Sequence, residues 1–250
     1  MERLVFGIQP VFEALRANRS IVKRILIEEN SKNPALRQIQ SLAEEKGITV
    51  QKVSRAVLSR MSKDEHHQGV VGGLTDQLYA SWDDLIRNIR TKGKWARVLI
   101  LDGLEDPQNF GSLIRTAEAC GAAGIIIPKD RAVGLTPGAL KASAGAFAHL
   151  PIVQVTNLAN SLEDLKREGF WILGADARGE KSLYTMRWDM DIGVVIGGEG
   201  KGIRPRVLSK CDFVVSIPMV GKVSSLNAAI AGAIILFEIF RQHTCLAFAQ

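Results

Sequence analysis

Cysteine and histidine are scarce in this sequence, and their arrangement excludes several classes of protein. The 250 residues include only Cys120, Cys211 and Cys245, which form no Cys-x-x-Cys pair and leave one cysteine over from any pairing. We therefore expect buried, reduced thiols and neither a disulfide framework nor a zinc site. Two of the four histidines, His66 and His67, are adjacent and point in different directions, so we predict no metal site.

Long apolar runs are also absent. The longest, from Ala228 to Phe240, is interrupted by Glu238 and is too short for a membrane span. The first residues lead into no long apolar segment, so we expect no secretory signal peptide. Together with the cysteine usage, this pattern predicts a cytoplasmic protein.

Three familiar active-site signatures are missing. No Gly-x-Ser-x-Gly nucleophile turn occurs, and Gly221-Lys222 is no Walker A loop because position 216 is Ser and Val223 follows the lysine. The glycines of residues 197–202 do not follow the spacing of dinucleotide sites. A nicotinamide-dependent dehydrogenase therefore remains only as an alternative that lacks its expected glycines and ribose-binding acid.

Positive charge is concentrated in the first third of the chain. The net charge is +6, and residues 1–75 hold 12 Lys/Arg against 8 Asp/Glu, whereas residues 96–250 hold 16 against 15. A basic N-terminal module can bind a polyanion through phosphate contacts and counterion release. The alternative is a surface charge that serves only solubility.

The apolar patterns predict two domains joined by a connector. Residues 1–75 alternate short helices and strands, and residues 76–95 contain a helix that Ser81 and Asp84 can cap. From residue 96 onward the pattern predicts a mostly parallel sheet with helices on both faces, and ligands bind beyond the carboxyl ends of such strands. The predicted strands are Arg97–Leu101, Gly124–Ile127, Ile152–Val155, Phe170–Ala175, Gly193–Ile196 and Phe213–Ile217.

The loop after the first of these strands holds two candidate phosphate-binding side chains. Pro107 and Gly111 predict an irregular backbone, and Ser112 could cap the following helix. Asn109 and Arg115 would then lie near the helix start, where amides and a guanidinium can bind a phosphate. The alternative is an ordinary turn with a surface arginine.

Two later loops combine glycine with a few polar side chains. Residues 197–202 place Glu199 among four glycines, which let a backbone approach a ligand closely, unless the loop is simply flexible. In residues 216–231 a strand runs through a Pro/Gly loop that carries Ser225 and Asn227, then enters a small-residue helix. Part of this pattern serves the packing of a buried C-terminal helix.

Taken in order, the three loops closely resemble the motifs of the SpoU–TrmH (SPOUT) group of RNA 2′-O-ribose methyltransferases. The resemblance covers residues 96–243, and residues 1–75 resemble the substrate-binding domain of many members, as in the RlmB type. The matching residues are Asp106-Pro107-x-Asn109-x-Gly111 with Arg115-Thr116-Ala117, Gly197-x-Glu199-x-x-Gly202, and Ile217-Pro218-Met219-x-Gly221 with Ser225-Leu226-Asn227.

The resemblance implies a fold, a cofactor and a reaction. Members bind S-adenosylmethionine in a trefoil knot and form homodimers through the knot and the last helix. The RlmB type methylates a guanosine ribose 2′-hydroxyl in large-subunit (23S) ribosomal RNA. Cofactor contacts would fall on Gly197, Ile217 and Leu226. Transfer RNA as substrate, or a non-catalytic RNA-binding factor in ribosome assembly, are the alternatives.

The resemblance also implies which side chains act. The functional polar positions are Asn109, Arg115, Glu199, Ser225 and Asn227, with Ser224 and Lys222 left as loop residues. Members often have Val-Ser after the asparagine, where this chain has Ala228-Ala229. Arg115 is the base in the family's mechanism, but a guanidinium normally stays protonated, so a phosphate clamp is the rival role.

Overall fold

A computed structural model describes residues 3–17, 19–63 and 66–248, with the backbone alone described at 246–248. The chain divides into two compact units. One contains the residues up to Leu78 and an internal segment, Leu135–His149; the other contains Tyr79–Gly134 and the residues from Leu150 onward. The predicted boundaries at residues 75 and 95 would place this internal segment in the second domain instead.

Strands and helices alternate along most of the described chain. Two short 3₁₀ turns lie at Ala146–Ala148 and Leu183–Thr185, and the remaining elements are α-helices and β-strands. These elements are β1 (Arg3–Phe6), α1 (Ile8–Arg16), β2 (Val22–Glu28), α2 (Pro34–Glu45), β3 (Thr49–Val53), α3 (Arg55–Ser62), β4 (Val70–Leu74), α4 (Trp82–Thr91), β5 (Arg97–Asp102), α5 (Pro107–Ala119), β6 (Gly124–Pro128), α6 (Pro137–Ala142), β7 (Ile152–Val155), α7 (Leu158–Arg167), β8 (Trp171–Ala175), β9 (Lys181–Ser182), β10 (Ile192–Gly197), α8 (Pro205–Leu208), β11 (Phe213–Ser216) and α9 (Ala228–Phe248).

The first unit is built on a four-stranded sheet in the order β1-β4-β2-β3. Strands β2 and β3 are parallel, and β4 runs antiparallel to β1 and β2. The unpredicted strand β1 pairs with a strand more than 60 residues away, with Phe6 opposite Val71. The internal segment packs on α1, where His149 Nε2 lies 2.8 Å from Glu13 Oε2.

The second unit is a seven-stranded sheet in the order β7-β6-β5-β10-β8-β11-β9, and all neighbouring strands are parallel. One face packs against α4, α7 and α8 through Leu85, Leu162 and Val207. Helix α9 lies on the other face, so the predicted parallel sheet with helices on both faces is confirmed. The trefoil knot stays a prediction.

Helix α9 covers the other face. A Cβ at Gly232 would lie 2.4 Å from Leu113 Cδ2 of α5 and 3.6 Å from Ile196 Cγ1 of β10, so the absent side chain lets the helix approach closely. The helix begins at Ala228, where the longest apolar run of the sequence begins, and extends beyond the end of that run at Phe240. Among the described residues, none of the helices has the length and apolar character that crossing a membrane requires.

All three cysteines are free, but they are not all buried as predicted. Cys120 is buried, Cys211 is half-buried and Cys245 is exposed near the end of α9. Burial raises the pKa of the Cys211 thiol to about 12. That side chain therefore behaves as a small apolar group packed beneath α8 rather than as a nucleophile.

Candidate active site

The first loop is shorter than predicted, because α5 begins at Pro107. Asp106 is the cap: its Oδ2 accepts a hydrogen bond of 2.7 Å from the Asn109 amide N–H. Proline is well suited to the first helical position, where no N–H is required. The predictions of an irregular backbone to Gly111 and of a Ser112 cap are therefore wrong. Asn109 lies in the first turn, whereas Arg115 lies well inside the helix.

The glycine loop after β10 is folded tightly back on itself. The Gly202 N–H donates to the Gly198 carbonyl at 3.0 Å, and the Gly198 N–H donates to the Asp102 carbonyl at 2.9 Å. A Cβ at Gly197 would lie 2.2 Å from the Gly202 carbonyl carbon. No side chain fits there unless the backbone moves. Glycine is therefore required at position 197, because the Gly202 backbone passes so close to it.

Asn227 caps the long helix α9. Its Oδ1 accepts hydrogen bonds from the backbone N–H groups of Ala229 at 2.9 Å and Ile230 at 3.2 Å. The amide is thereby fixed in orientation, and its Nδ2 group is directed away from the helix start. Asn227, which directly precedes the longest apolar run, thus has a local structural role as well.

Three of the predicted residues form one hydrogen-bonded group, which we name the amide–carboxylate cluster: Asn109, Glu199 and Asn227. Glu199 Oε1 accepts from Asn109 Nδ2 at 2.6 Å and from Asn227 Nδ2 at 2.9 Å. Asn227 Nδ2 also lies 3.0 Å from Asn109 Oδ1. The cluster joins the start of α5, the glycine loop and the start of α9, which lie far apart in the sequence.

A cavity of about 640 Å³ opens beside this cluster, at the edge of the sheet where its parallel strands end. We name it the glycine-lined cavity. Its walls include the three predicted cofactor positions Gly197, Ile217 and Leu226, together with Glu199 and Asn227. The remaining lining residues are Ala175, Asp176, Ala177, Arg178, Ile196, Gly198, Gly200, Lys201, Gly202, Val215, Met219, Ser224, Ser225, Ala228, Ala231 and Ile235.

Two predicted residues stand apart from the cluster. Ser225 lines the cavity and is exposed, without a side-chain hydrogen bond to another described residue. Arg115 is exposed on α5, does not line the cavity, and forms neither an ion pair nor a side-chain hydrogen bond within the described chain. Ser224, predicted to be only a loop residue, does line the cavity.

One ion pair that lines this cavity, Asp176–Arg178, is not among the residues predicted from the sequence. Asp176 follows β8 directly. Its carboxylate accepts two hydrogen bonds from Arg178, from Nε to Oδ1 at 2.9 Å and from Nη2 to Oδ2 at 2.8 Å. This hydrogen bonding holds the pKa of the Asp176 carboxyl below its usual range. The position of Asp176 just after a predicted strand was the available signal.

The fold and the site define an α/β protein whose ligand cavity lies at the carboxyl ends of parallel strands. Residues 96–237 match the SpoU rRNA Methylase family, and residues 4–79 match the family described as RNA 2′-O ribose methyltransferase substrate binding. The chain belongs to the SpoU family of RNA 2′-O-methyltransferases. The resemblance noted in the sequence is thereby confirmed.

Similar proteins span nearly the whole chain. YacO of Bacillus subtilis (strain 168), provisionally named a TrmH family tRNA/rRNA methyltransferase, is 44% identical over 95% of both chains. The crystal structure of the SpoU methyltransferase AviRb from Streptomyces viridochromogenes has a TM-score of 0.82 at 27% identity, over 98% of this chain and 90% of AviRb. AviRb in complex with the cofactor AdoMet gives a TM-score of 0.79 at 27% identity, over 97% and 91%.

Proposed function

We propose that this protein transfers a methyl group from S-adenosylmethionine (AdoMet) to the ribose 2′-hydroxyl of a guanosine in large-subunit ribosomal RNA. The observation that carries the proposal is the amide–carboxylate cluster beside the glycine-lined cavity. The AdoMet complex of AviRb supports the choice of cofactor. The basic residues of the first unit and its match to a substrate-binding family support an RNA substrate.

The glycine-lined cavity fits AdoMet in size and in chemistry. Small-molecule sites are commonly about 300–1,000 Å³, with apolar walls and a few polar groups. Here Ile217, Leu226 and Ile235 provide apolar walls, and Gly197 keeps the backbone open to a ligand. When bound, AdoMet supplies a methyl group activated by its sulfonium.

The amide–carboxylate cluster positions the acceptor. Glu199 holds the Asn109 and Asn227 amides through Oε1, and its Oε2 accepts no hydrogen bond from another described residue. That oxygen can accept a hydrogen bond from the ribose hydroxyl, fix its direction of attack and take up its proton as the methyl group moves from sulfur to oxygen. Asn109 and Ser225 contact the ribose or its phosphate. Alignment of this kind contributes much of the rate enhancement in such a transfer.

We assign Arg115 to the RNA phosphate rather than to proton removal. A guanidinium keeps its proton in proteins and presents a planar fork that suits a phosphate. Its exposed position, with no carboxylate partner in the described chain, leaves the fork available to RNA.

The protein acts as a homodimer in this proposal. Helix α9 buries one side against α5 and β10, yet it exposes Ile230 by 53% and Phe237 by 45%. Large apolar side chains in such a row favour burial against a partner. A second copy is the partner that the family resemblance implies.

A methyl-transfer assay tests the proposed function. Purified ribosomal and transfer RNA are incubated with the protein and methyl-labelled AdoMet, and cofactor binding is followed by calorimetry. We expect AdoMet binding and label in large-subunit RNA. Label in transfer RNA alone would replace the substrate, and an absence of both transfer and AdoMet binding would favour a non-catalytic RNA-binding factor.

A further inference from the structure

A second cavity lies at the same edge of the sheet and shares no lining residue with the glycine-lined cavity. It measures about 590 Å³ and lies beyond the ends of β6 and β7. We name it the arginine-lined cavity. Its described lining residues are Pro128, Asp130, Arg131, Thr156, Asn157, Leu158, Ala159, Arg204, Arg206 and Val207.

Two of its three arginines are available to a ligand. Arg131 and Arg206 are exposed, and neither forms an ion pair or a side-chain hydrogen bond with another described residue. Asp130 is the one acidic residue among the described lining residues. Two guanidinium groups that face one cavity without carboxylate partners favour an anionic ligand.

The third arginine is fixed to the sheet. Asp102, at the end of β5, has a fully buried side chain, and its carboxylate accepts from the Arg204 backbone N–H and from Nε, both at 2.7 Å. Arg204 Nη2 also lies 2.6 Å from Oδ1. Since its side chain is still 46% exposed, Arg204 forms a rigid, charge-compensated wall of the cavity.

Asp102, at the end of β5, is hydrogen-bonded both to a wall of the arginine-lined cavity and to the loop that carries Glu199. The Asp102 carboxylate holds Arg204, while the Asp102 carbonyl accepts from the Gly198 N–H in the loop that carries Glu199. A ligand that contacts both places would therefore meet one rigid surface. RNA is such a ligand, because it carries a phosphate at every nucleotide.

We propose that the arginine-lined cavity binds a backbone phosphodiester of the substrate RNA, next to the nucleotide being methylated, through Arg131 and Arg206. The proposal rests on the proposed function for the identity of the RNA. The start of α7, at Leu158 and Ala159, adds a partial positive charge in the same cavity. Guanidinium contacts to phosphate position a nucleic acid without reading its bases.

The test compares two matched double variants in RNA binding. Arg131→Gln/Arg206→Gln removes the two cavity charges, and Arg90→Gln/Arg187→Gln removes two exposed arginines that have only loose ion pairs, at 4.0 and 3.7 Å. We expect the cavity variant to bind ribosomal RNA about 10- to 100-fold more weakly. Its slope of log affinity against log salt should fall by about 1.5–2, whereas the control should keep both values.

Three further readouts make the result decisive. The cavity variant should keep AdoMet binding and its kcat at saturating RNA, with only KM for RNA raised, and Arg131→Lys/Arg206→Lys should restore the salt slope. RNA affinity and salt slope equal to wild type would overturn the proposal while leaving the methyltransferase function intact. Inorganic phosphate binding that depends on the two arginines, with RNA affinity unchanged, would overturn it in favour of a free-phosphate site.

Discussion

The glycine-lined and arginine-lined cavities lie at the same edge of one sheet but are built differently. The first is shaped by backbone: Gly197 leaves no room for a side chain, and the amide–carboxylate cluster beside it is held by its own hydrogen bonds. The second is shaped by charged side chains, of which Arg131 and Arg206 are left without partners in the described chain. Shape selects a small molecule, whereas unpaired charge suits a polyanion.

The largest effect should follow from adding a side chain at Gly197, in the glycine-lined cavity. In Gly197→Val, the new side chain would collide with the Gly202 backbone, so the loop must move. We expect AdoMet affinity to fall at least about 1,000-fold by calorimetry. Gly221→Val is the matched control, because nothing lies within 4 Å of a Cβ there. Normal AdoMet binding by the Gly197 variant would show that the loop does not form the cofactor site.

A second prediction separates the amide–carboxylate cluster from general charge effects. Asn109→Asp would place a second carboxylate about where Nδ2 now lies, 2.6 Å from Glu199 Oε1, and the repulsion should open the cluster. We expect kcat for methyl transfer to fall about 100-fold. Gln108→Glu adds the same charge to the same helical turn and should change kcat little. Equal losses in both variants would refute a specific role for the cluster.

A third prediction contrasts two arginines of the arginine-lined cavity. Arg204→Gln leaves the buried Asp102 carboxylate without its guanidinium, so the free energy of unfolding should fall by about 2–3 kcal/mol. Arg206→Gln removes an unpaired exposed charge and should change it by less than about 0.5 kcal/mol. Chemical denaturation measures both. Equal stability losses would contradict the division into a structural and a ligand-binding arginine.

The smallest effect should come from Arg115. In Arg115→Ala we expect about a tenfold higher KM for RNA, with AdoMet binding unchanged, because a phosphate contact is lost. Arg115→Lys should keep most of the affinity, since a lysine also binds phosphate. If kcat instead fell by several orders of magnitude in both variants, Arg115 would act in the chemical step.

The loops around the glycine-lined cavity could be predicted from sequence because they follow predicted strands, and the resemblance of these loops to the SpoU–TrmH motifs implied Gly197, Ile217 and Leu226 as cofactor positions. Gly197, Ile217 and Leu226 lie in short motifs that differ from the apolar background, and the parallel sheet brings the strand ends together. The arginine-lined cavity has no such motif. Arg131 and Arg206 look like ordinary surface charges until β6, β7 and α8 are placed side by side.

The predictions from sequence that were wrong or incomplete have equally local causes. Ser112 is a good cap residue, but Asp106-Pro107 is a stronger helix start, and it moved the beginning of α5 by several residues. Strand β1 is only four residues long, and its pairing with β4 is non-local, so it left little periodicity to detect. Helix α6 has a clear signal in the sequence, because Thr136 is a good cap residue and Pro137 suits the first helical position.

Mapping the transferred methyl group shows directly whether the protein methylates a guanosine ribose 2′-hydroxyl of ribosomal RNA. Large-subunit ribosomal RNA is treated with the wild-type protein and AdoMet, digested to nucleosides, and analysed by mass spectrometry with sequence mapping. We expect one 2′-O-methylguanosine at a single position, which is lost with Asn109→Asp and retained with Gln108→Glu. Methylation on a base, or no methylated nucleoside in any RNA, would contradict this expectation.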